Sequence, residues 1–335
     1  MILSRRTFIA TGGAALTAAP MLILPQKSIA QGLFLSASKS RVVVARKAGV
    51  LQPPKQVDPA SIRLLLDEAS KALTGRPDPL ALWRGLFTAS DVVGIKVNTL
   101  GGRMLSPSPE LVLAVAERLV QAGVPPNNIL IWDRSERELK AAGFTPDVFT
   151  GKARVLATDT SGVGYEPQPE ISGSIGSCFS RLISRYSTAL INLGVLKDHD
   201  LSGVSVAMKN LFGLIHNPNR YHFDVYKDPY LPDLCLHPYV KNKLRLNLCD
   251  ALLAQYDGGP AYKASSSWEF GGILLSTDPV AIDSVAARLL ESKRREMKLP
   301  SFKEAEREPL YLALAEERKI GFADPSRIDL LEIEA

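Results

Sequence analysis

Apolar runs of strand length alternate with amphipathic helical stretches along most of this chain, and no other feature narrows its fold so far. Residues 41–45, 91–98, 129–132, 155–157, 188–193, 244–248 and 271–276 read as strands. Between them, 61–73 and 109–122 carry helical periodicity. In the second, Leu111, Val115, Leu119 and Ala122 line one face and Gly123 closes it. Asp58-Pro59 and Asp278-Pro279 are helix-start signals: an acceptor side chain, then a residue with no N–H to leave unpaired. A helix from Asp278 is expected to reach residue 293; 204–212 also reads as helical, and 304–319 as a charged, exposed helix. This order predicts an α/β fold with a mainly parallel sheet and helices on both faces, as one domain over 31–335 or as two closely packed lobes. In such folds ligands bind beyond the carboxyl ends of the strands, so polar residues at strand ends are the ones to weigh.

The first thirty residues carry a different signal. Ser4-Arg5-Arg6-Thr7-Phe8-Ile9 has the twin-arginine export pattern, a mildly apolar run covers 8–24, and Ser28-Ile29-Ala30 is a small-x-small cleavage site. Residues 1–30 are therefore predicted to be a signal peptide, with the twin-arginine export machinery as a partner and the periplasm as destination. An uncleaved anchor is the alternative, weakened by Gly12, Gly13 and Pro20. The route carries folded chains, which suits a protein that gains a cofactor before export. The signal holds three positive charges, Arg5, Arg6 and Lys27, and no acid, so its removal takes the formal charge from +5 to +2. What remains suggests no nucleic-acid partner, and no later stretch is apolar enough for a membrane span in the mature chain.

Several chemistries lack their sequence marks. Cys178, Cys235 and Cys249 form no Cys-x-x-Cys pair, which argues against an iron–sulfur cluster or a structural zinc. They read as small core residues or as one disulfide and a free thiol. No glycine-rich fingerprint follows the first strand, so no nicotinamide cofactor is expected, and no phosphate loop is present.

Three places concentrate costly polar residues. Lys96 and Asn98 close an apolar strand ahead of Gly101-Gly102; a lysine there needs an anion, either a ligand or a structural carboxylate. In the second, Lys197 and His199 leave a strand end together, and Lys209-Asn210 follow within small and apolar residues. Two lysines, an imidazole and an amide suit a small anionic ligand, with His199 able to move a proton. The third holds His216 and His222, candidates for a metal, although their spacing fits no standard ligand pattern. Asp250 and Asp283 are further candidates: Asp250 ends the strand read over 244–248, and Asp283 lies on an apolar helical face where it needs a partner, for which Lys96, Lys197 and Lys209 are available.

The segments Gly94-Ile95-Lys96-Val97-Asn98, Leu196-Lys197-Asp198-His199, Ala207-Met208-Lys209-Asn210-Leu211-Phe212-Gly213 and Asp278-Pro279-Val280-Ala281-Ile282-Asp283, in this order, resemble the domain-of-unknown-function 362 family. The resemblance implies the α/β fold and assigns no activity. A fainter similarity is to the nickel-pincer lactate racemases, in which a strand, a histidine, a small-residue turn and a lysine succeed one another. His199, Ser202-Gly203 and Lys209 stand in that relation here. The similarity implies a cofactor attached to Lys209, with His216 or His222 as the counterpart of the nickel ligand; Asp133-Arg134 stands where the racemases have a histidine. The resulting expectation is a cell-envelope enzyme acting on a small anionic organic substrate by acid/base chemistry, with His199, Lys209 and Lys197 as catalytic residues and Lys96, Asn98, Asn210, Asp283 and Asp250 as binding residues. A bound metal or lysine-attached cofactor is an open addition. The alternative is a non-catalytic periplasmic protein for ligand binding, metal binding or assembly.

Overall fold

The structure, a computed structural model, describes residues 38–53 and 55–335; the expected signal peptide and cleavage site lie outside them. The main sheet is built from β1 (Ser40–Arg46), β2 (Val93–Lys96), β3 (Ile129–Asp133), β4 (Arg154–Ala157), β5 (Ala189–His199), β6 (Leu244–Gln255), β7 (Ser267–Ser276) and β8 (Ile328–Glu334). The short strand Gly203–Val204 pairs with β5 at its end. The spatial order is β8-β1-β7-β6-β5-β2-β3-β4. β7 runs antiparallel to both β1 and β6; the other neighbours along this order are parallel. The α/β class with a mainly parallel sheet is thus the observed one.

Side-chain alternation along the strands splits the core in two. Val43 and Ala45 of β1, Ile191 of β5 and Leu246 of β6 face one layer. That layer is covered by α1 (Pro59–Thr74), α2 (Leu80–Leu86) and α3 (Pro109–Gln121). Val42 and Val44 of β1 and Leu190 of β5 face the other. It is covered by α4 (Tyr230–Leu236), α5 (Pro279–Glu296) and α6 (Tyr311–Glu317). The start signals read from sequence act as caps: Asp58 accepts from the N–H groups of Ala60 and Ser61, and Asp278 from those of Val280 and Ala281. The three cysteines are free thiols, with Cys235 and Cys249 buried in the core.

Three segments depart from the pattern expected of them. β6 runs to Gln255, so Asp250 lies inside a strand rather than at its end. The stretch expected as a helix over 304–319 is regular only in α6. Most consequential, 204–212 is not an α-helix. After Gly203–Val204 the backbone crosses β5 in open form and coils into a 3-10 turn at Lys209–Leu214.

The reason is a carboxylate. Asp283 of α5 is fully buried and accepts from the N–H of Ala207 (2.6 Å) and of Met208 (2.9 Å). Those N–H groups are thereby committed to another element. The crossing is also close: a Cβ on Gly194 would lie 2.0 Å from the Val206 carbonyl oxygen, inside any real contact distance. Gly194→Ala should therefore lower the melting temperature and loosen the 205–210 segment, read as faster amide hydrogen exchange there. An unchanged melting temperature and exchange pattern would contradict the close crossing.

Candidate functional site

A lysine buried in a sheet must be paired with an anion or lose its charge. Three such lysines, Lys96, Lys197 and Lys209, converge at the carboxyl ends of β2 and β5, each less than a tenth exposed, and they solve the problem differently.

Lys96 ends β2. Its Nζ lies 2.8 Å from Asp133 Oδ1 at the end of β3, and donates to the Val97 carbonyl and to Asn210 Oδ1 (3.1 Å). The other Asp133 oxygen takes the Thr99 N–H and hydroxyl, both at 2.8 Å. Burial works to raise the Asp133 pKa, but the Lys96 charge and these hydrogen bonds hold it below the ordinary carboxylate value. Here the carboxylate stays charged, and Lys96 is its partner in an ion pair.

Lys197 has no such partner. Strand alternation turns its neighbour Asp198 the other way, onto Arg307 at 2.9 Å. The Lys197 Nζ donates to Asn98 Oδ1 (3.1 Å) and approaches the Pro260 carbonyl (3.4 Å). Burial, the largest cause, brings its pKa down to about 8.

Lys209, at the start of the 3-10 turn, meets no carboxylate among the described residues. Its Nζ lies 2.8 Å from His222 Nε2 and 4.7 Å from the centre of the Phe212 ring. Burial, and then the charge of Lys197, lower its pKa to about 7. Near neutral pH it is therefore divided between ammonium and free amine.

The hydrogen bonds fix the state of both neighbouring imidazoles. His222 Nδ1 lies 2.9 Å from the Pro218 carbonyl oxygen, which can only accept. Nδ1 therefore carries the proton, and Nε2 offers its lone pair to Lys209. His199 is the reverse. Its Nδ1 receives the Leu201 N–H at 3.1 Å, so the proton belongs on Nε2. Asp200 Oδ1 also stands 3.0 Å from that Nδ1, an arrangement that would suit a charged ring. We assign the neutral form, because the amide has no other role than donor, and Asp200 is 61% exposed and can turn to water. Burial, the largest cause, then Lys209 and His222, push the His199 pKa far below its ordinary value. Burial and then Lys209 lower that of His222. The ring centres are 5.6 Å apart. Lys209 thus faces the lone pair of one neutral imidazole, His222, and a second, His199, of the opposite tautomer, lies beside that ring and lines the same cavity.

Buried amides join these groups into one network. Asn210 Nδ2 donates to Asn192 Oδ1 (2.8 Å), and Asn192 Nδ2 donates to the Ala207 carbonyl (2.9 Å) and to Asn247 Oδ1 (3.1 Å). Asn98 donates to Asn210 Oδ1 at 3.3 Å. The network fixes Asn98, Asn192 and Asn210 relative to one another, although the buried Asn247 Nδ2 at its far end has no partner.

These residues border a cavity of about 650 Å³. Of the residues predicted from sequence, Lys96, Asn98, His199, Lys209, Asn210, His216 and His222 line it. Lys197 supports it from behind through Asn98. Asp250 and Asp283 are not among the lining residues. Asp250 holds the N–H groups of Ser108 (2.7 Å) and Leu252 (3.0 Å). Asp283 meets none of the lysines proposed for it, and burial without a cation pushes its pKa up to about 7. His216 packs edge-on against Tyr165, and both nitrogens of His222 are engaged. Among the described residues no three His, Cys, Asp or Glu side chains gather in a group suited to a metal ion.

Sequence reasoning did not select Asp133, Arg134, Asn192 or Tyr165. Asp133 and Arg134 follow the strand read over 129–132, where the strand-end rule could have found them. Asn192 sits inside a strand and carried no signal. Arg134 lines the cavity and makes no ion pair among the described residues; its Nε donates to the Tyr165 hydroxyl at 3.4 Å.

The family described as domain of unknown function DUF362 matches residues 93–288, a span that holds all the residues of the site. The chain belongs to this family. Comparison with curated proteins gives no match. In the DUF362 chain no helix among the described residues is long and apolar enough to cross a membrane.

The three lysines should separate under mutation. Lys96→Met strands a buried carboxylate and should cost about 3–5 kcal/mol. Lys209→Met removes a desolvated amine that has no counter-charge, and should raise the melting temperature at pH 7. The pH dependence has a defined sign. Below about pH 7 the amine is charged in both states and the native state bears the full desolvation cost; between about 7 and 10.5 only the native state sheds the proton, so stability rises. That rise should be absent from Lys209→Met in denaturant titrations across this range. Loss of stability on Lys209→Met, matching Lys96→Met, would show Lys209 to be structural.

Proposed function

We propose that this chain is a cell-envelope enzyme that moves a proton on a small anionic organic substrate held in the cavity beside Lys209. The observation that carries this reading is a buried, partly neutral amine 2.8 Å from the lone pair of one neutral imidazole, in a cavity that a second imidazole of the opposite tautomer also lines. A protein that only packs has no use for such a group, because it costs stability and forms no ion pair. A binding protein would want the lysine charged and paired with its ligand.

The roles follow from the hydrogen bonds. His222 Nε2 is the base facing Lys209, and the His199 Nε2–H is a donor for a substrate oxygen. Arg134 and the charged fraction of Lys209 supply the attraction for an anion. Asp159 and Asp200 are exposed at the rim, where water screens them, and Glu138 is half-buried there. Asn98 and Asn210 hold the lysines in register.

The nickel-pincer analogy fits in one part. Lys209 has the reactive amine that attachment needs, whereas the imidazole counterpart fits poorly, since His222 donates from Nδ1 and is held by Lys209 at Nε2. No step is assigned to a metal. Export by the twin-arginine route is proposed on Ser4-Arg5-Arg6-Thr7-Phe8-Ile9 and the following apolar run.

Two experiments test this reading. Purified protein incubated with a pool of small carboxylic metabolites should deplete at least one of them, with His222→Ala and His199→Ala each slowing depletion by about 100-fold or more at an unchanged melting temperature. Retention of a metabolite without turnover would favour the binding-protein alternative. Separately, lysine at both Arg5 and Arg6 should hold the full-length chain in the cytoplasm on cell fractionation; undiminished export would remove the twin-arginine assignment.

A further inference from the structure

Lys209 has a property the acid/base reading leaves unused. Its neighbours are those of a nucleophile. The Nζ faces a lone pair rather than a carboxylate, opens on the cavity, and is backed by the Phe212 ring. The structure also offers a contrast within the same chain. Lys243 is half-buried with its pKa lowered to about 8, yet its Nζ is spent on the carbonyls of Ile183 and Ser184, and it does not line the cavity. Lys96 is consumed by Asp133. Of the buried lysines considered, Lys209 alone combines an available lone pair, a base and access.

We propose that Lys209 forms an imine with the carbonyl carbon of a small oxo acid, whose carboxylate is held by Arg134. This rests on the acid/base reading and names its substrate class. The steps balance without a further reagent. The Lys209 ammonium passes one proton to His222 Nε2, which frees the Nζ lone pair. That pair attacks the carbonyl carbon; the carbon–nitrogen bond forms and the carbonyl π pair moves onto oxygen, which the His199 Nε2–H stabilises by hydrogen bonding without giving up its proton. His222 returns its proton to this oxygen, giving a carbinolamine. A second proton leaves nitrogen by the same imidazole for the hydroxyl, water departs and the carbon–nitrogen double bond closes. Ammonium plus carbonyl has become protonated imine plus water. Such an imine draws electrons from the adjacent carbon and makes its proton or carboxyl group easier to remove.

A cavity of this kind suits that chemistry for a further reason. Imines of exposed lysines hydrolyse readily and form slowly, because the amine is almost wholly protonated at neutral pH. Taking about 7 for Lys209 and about 10.4 for an ordinary lysine, the free-amine fraction at pH 7 is roughly a thousandfold larger at Lys209.

The test is reductive trapping on the wild-type protein, which needs no variant to fold. The protein is incubated at pH 7 with glyoxylate, pyruvate or 2-oxoglutarate and sodium cyanoborohydride, then digested and mapped by mass spectrometry, while thermal shift with the same three compounds reports binding. The expected result is a reduced adduct on Lys209 at least about tenfold above that on Lys243 or any other lysine, reflecting orientation in the cavity as well as amine basicity. An adduct spread evenly over the lysines, or concentrated on Lys243, would overturn the proposal, as would an unlabelled Lys209. The thermal shift then separates the two levels. Binding without labelling removes the imine and leaves the acid/base reading standing, whereas neither binding nor labelling counts against both the oxo-acid substrate class and Arg134 as its holder.

Discussion

Two backbone hydrogen bonds to one carboxylate govern the site. Asp283 lies wholly inside the protein on α5 and holds the N–H groups of Ala207 and Met208. By taking those donors it keeps the segment after Gly203–Val204 from closing into a helix, and lays it across β5 at Gly194, where only a glycine allows the Val206 carbonyl so close. Lys209 and Asn210 then emerge at the carboxyl edge of the sheet rather than along a helix surface. A buried carboxylate with no cation is costly. Two N–H donors compensate part of that cost, and burial still raises its pKa to about 7. The segment so anchored carries Lys209 and Asn210 to the cavity.

The same sheet edge handles three buried lysines by three means. Lys96 keeps its charge against Asp133. Lys197 leans on an amide and a carbonyl. Lys209 is left with an imidazole lone pair. Electrostatics ties them together, since the charge of Lys197 contributes to lowering Lys209 and that of Lys209 to lowering both His199 and His222. The Asn98–Asn210–Asn192 network prevents the lysines from relaxing apart. Mutual depression of basicity of this kind is what the proposed acid/base role of Lys209 draws on.

Seven of the eight long strands were legible in the sequence because strands buried on both faces must be apolar throughout, whereas the edge strand β8, half exposed along its length, was not read; Asp-Pro pairs mark helix starts with a local mechanism that the structure repeats at Asp58 and Asp278. The crevice residues were legible for a related reason: a lysine inside an apolar run has a cost that needs explaining, which drew attention to Lys96, Lys197 and Lys209. What stayed hidden depends on groups that a sequence does not display. Val204, Met208, Leu211 and Phe212 have helical spacing, but the N–H groups that would build the helix are taken by Asp283, and backbone donors have no letter code. For the same reason the partner of Asp283 was sought among lysines. The division of labour between His199 and His222 rests on which ring nitrogen meets a carbonyl and which meets an N–H, a matter of ångströms. Asn192 was invisible because an asparagine within a strand has no spacing to betray it.

The central claim is that Lys209, which makes no ion pair among the described residues and feels only the exposed Asp200 at a distance, titrates near neutral pH. The most direct measurement is the pH titration of the Lys209 side chain by NMR in protein carrying labelled lysine, with Lys209→Met used to assign its signal. A midpoint at about 7, with the signals of exposed lysines unmoved until far higher pH, is the result this account predicts. A midpoint near 10.5, the ordinary lysine value, would mean that Lys209 finds a counter-charge or water in solution, and would contradict both the proposed acid/base site and the imine built on it.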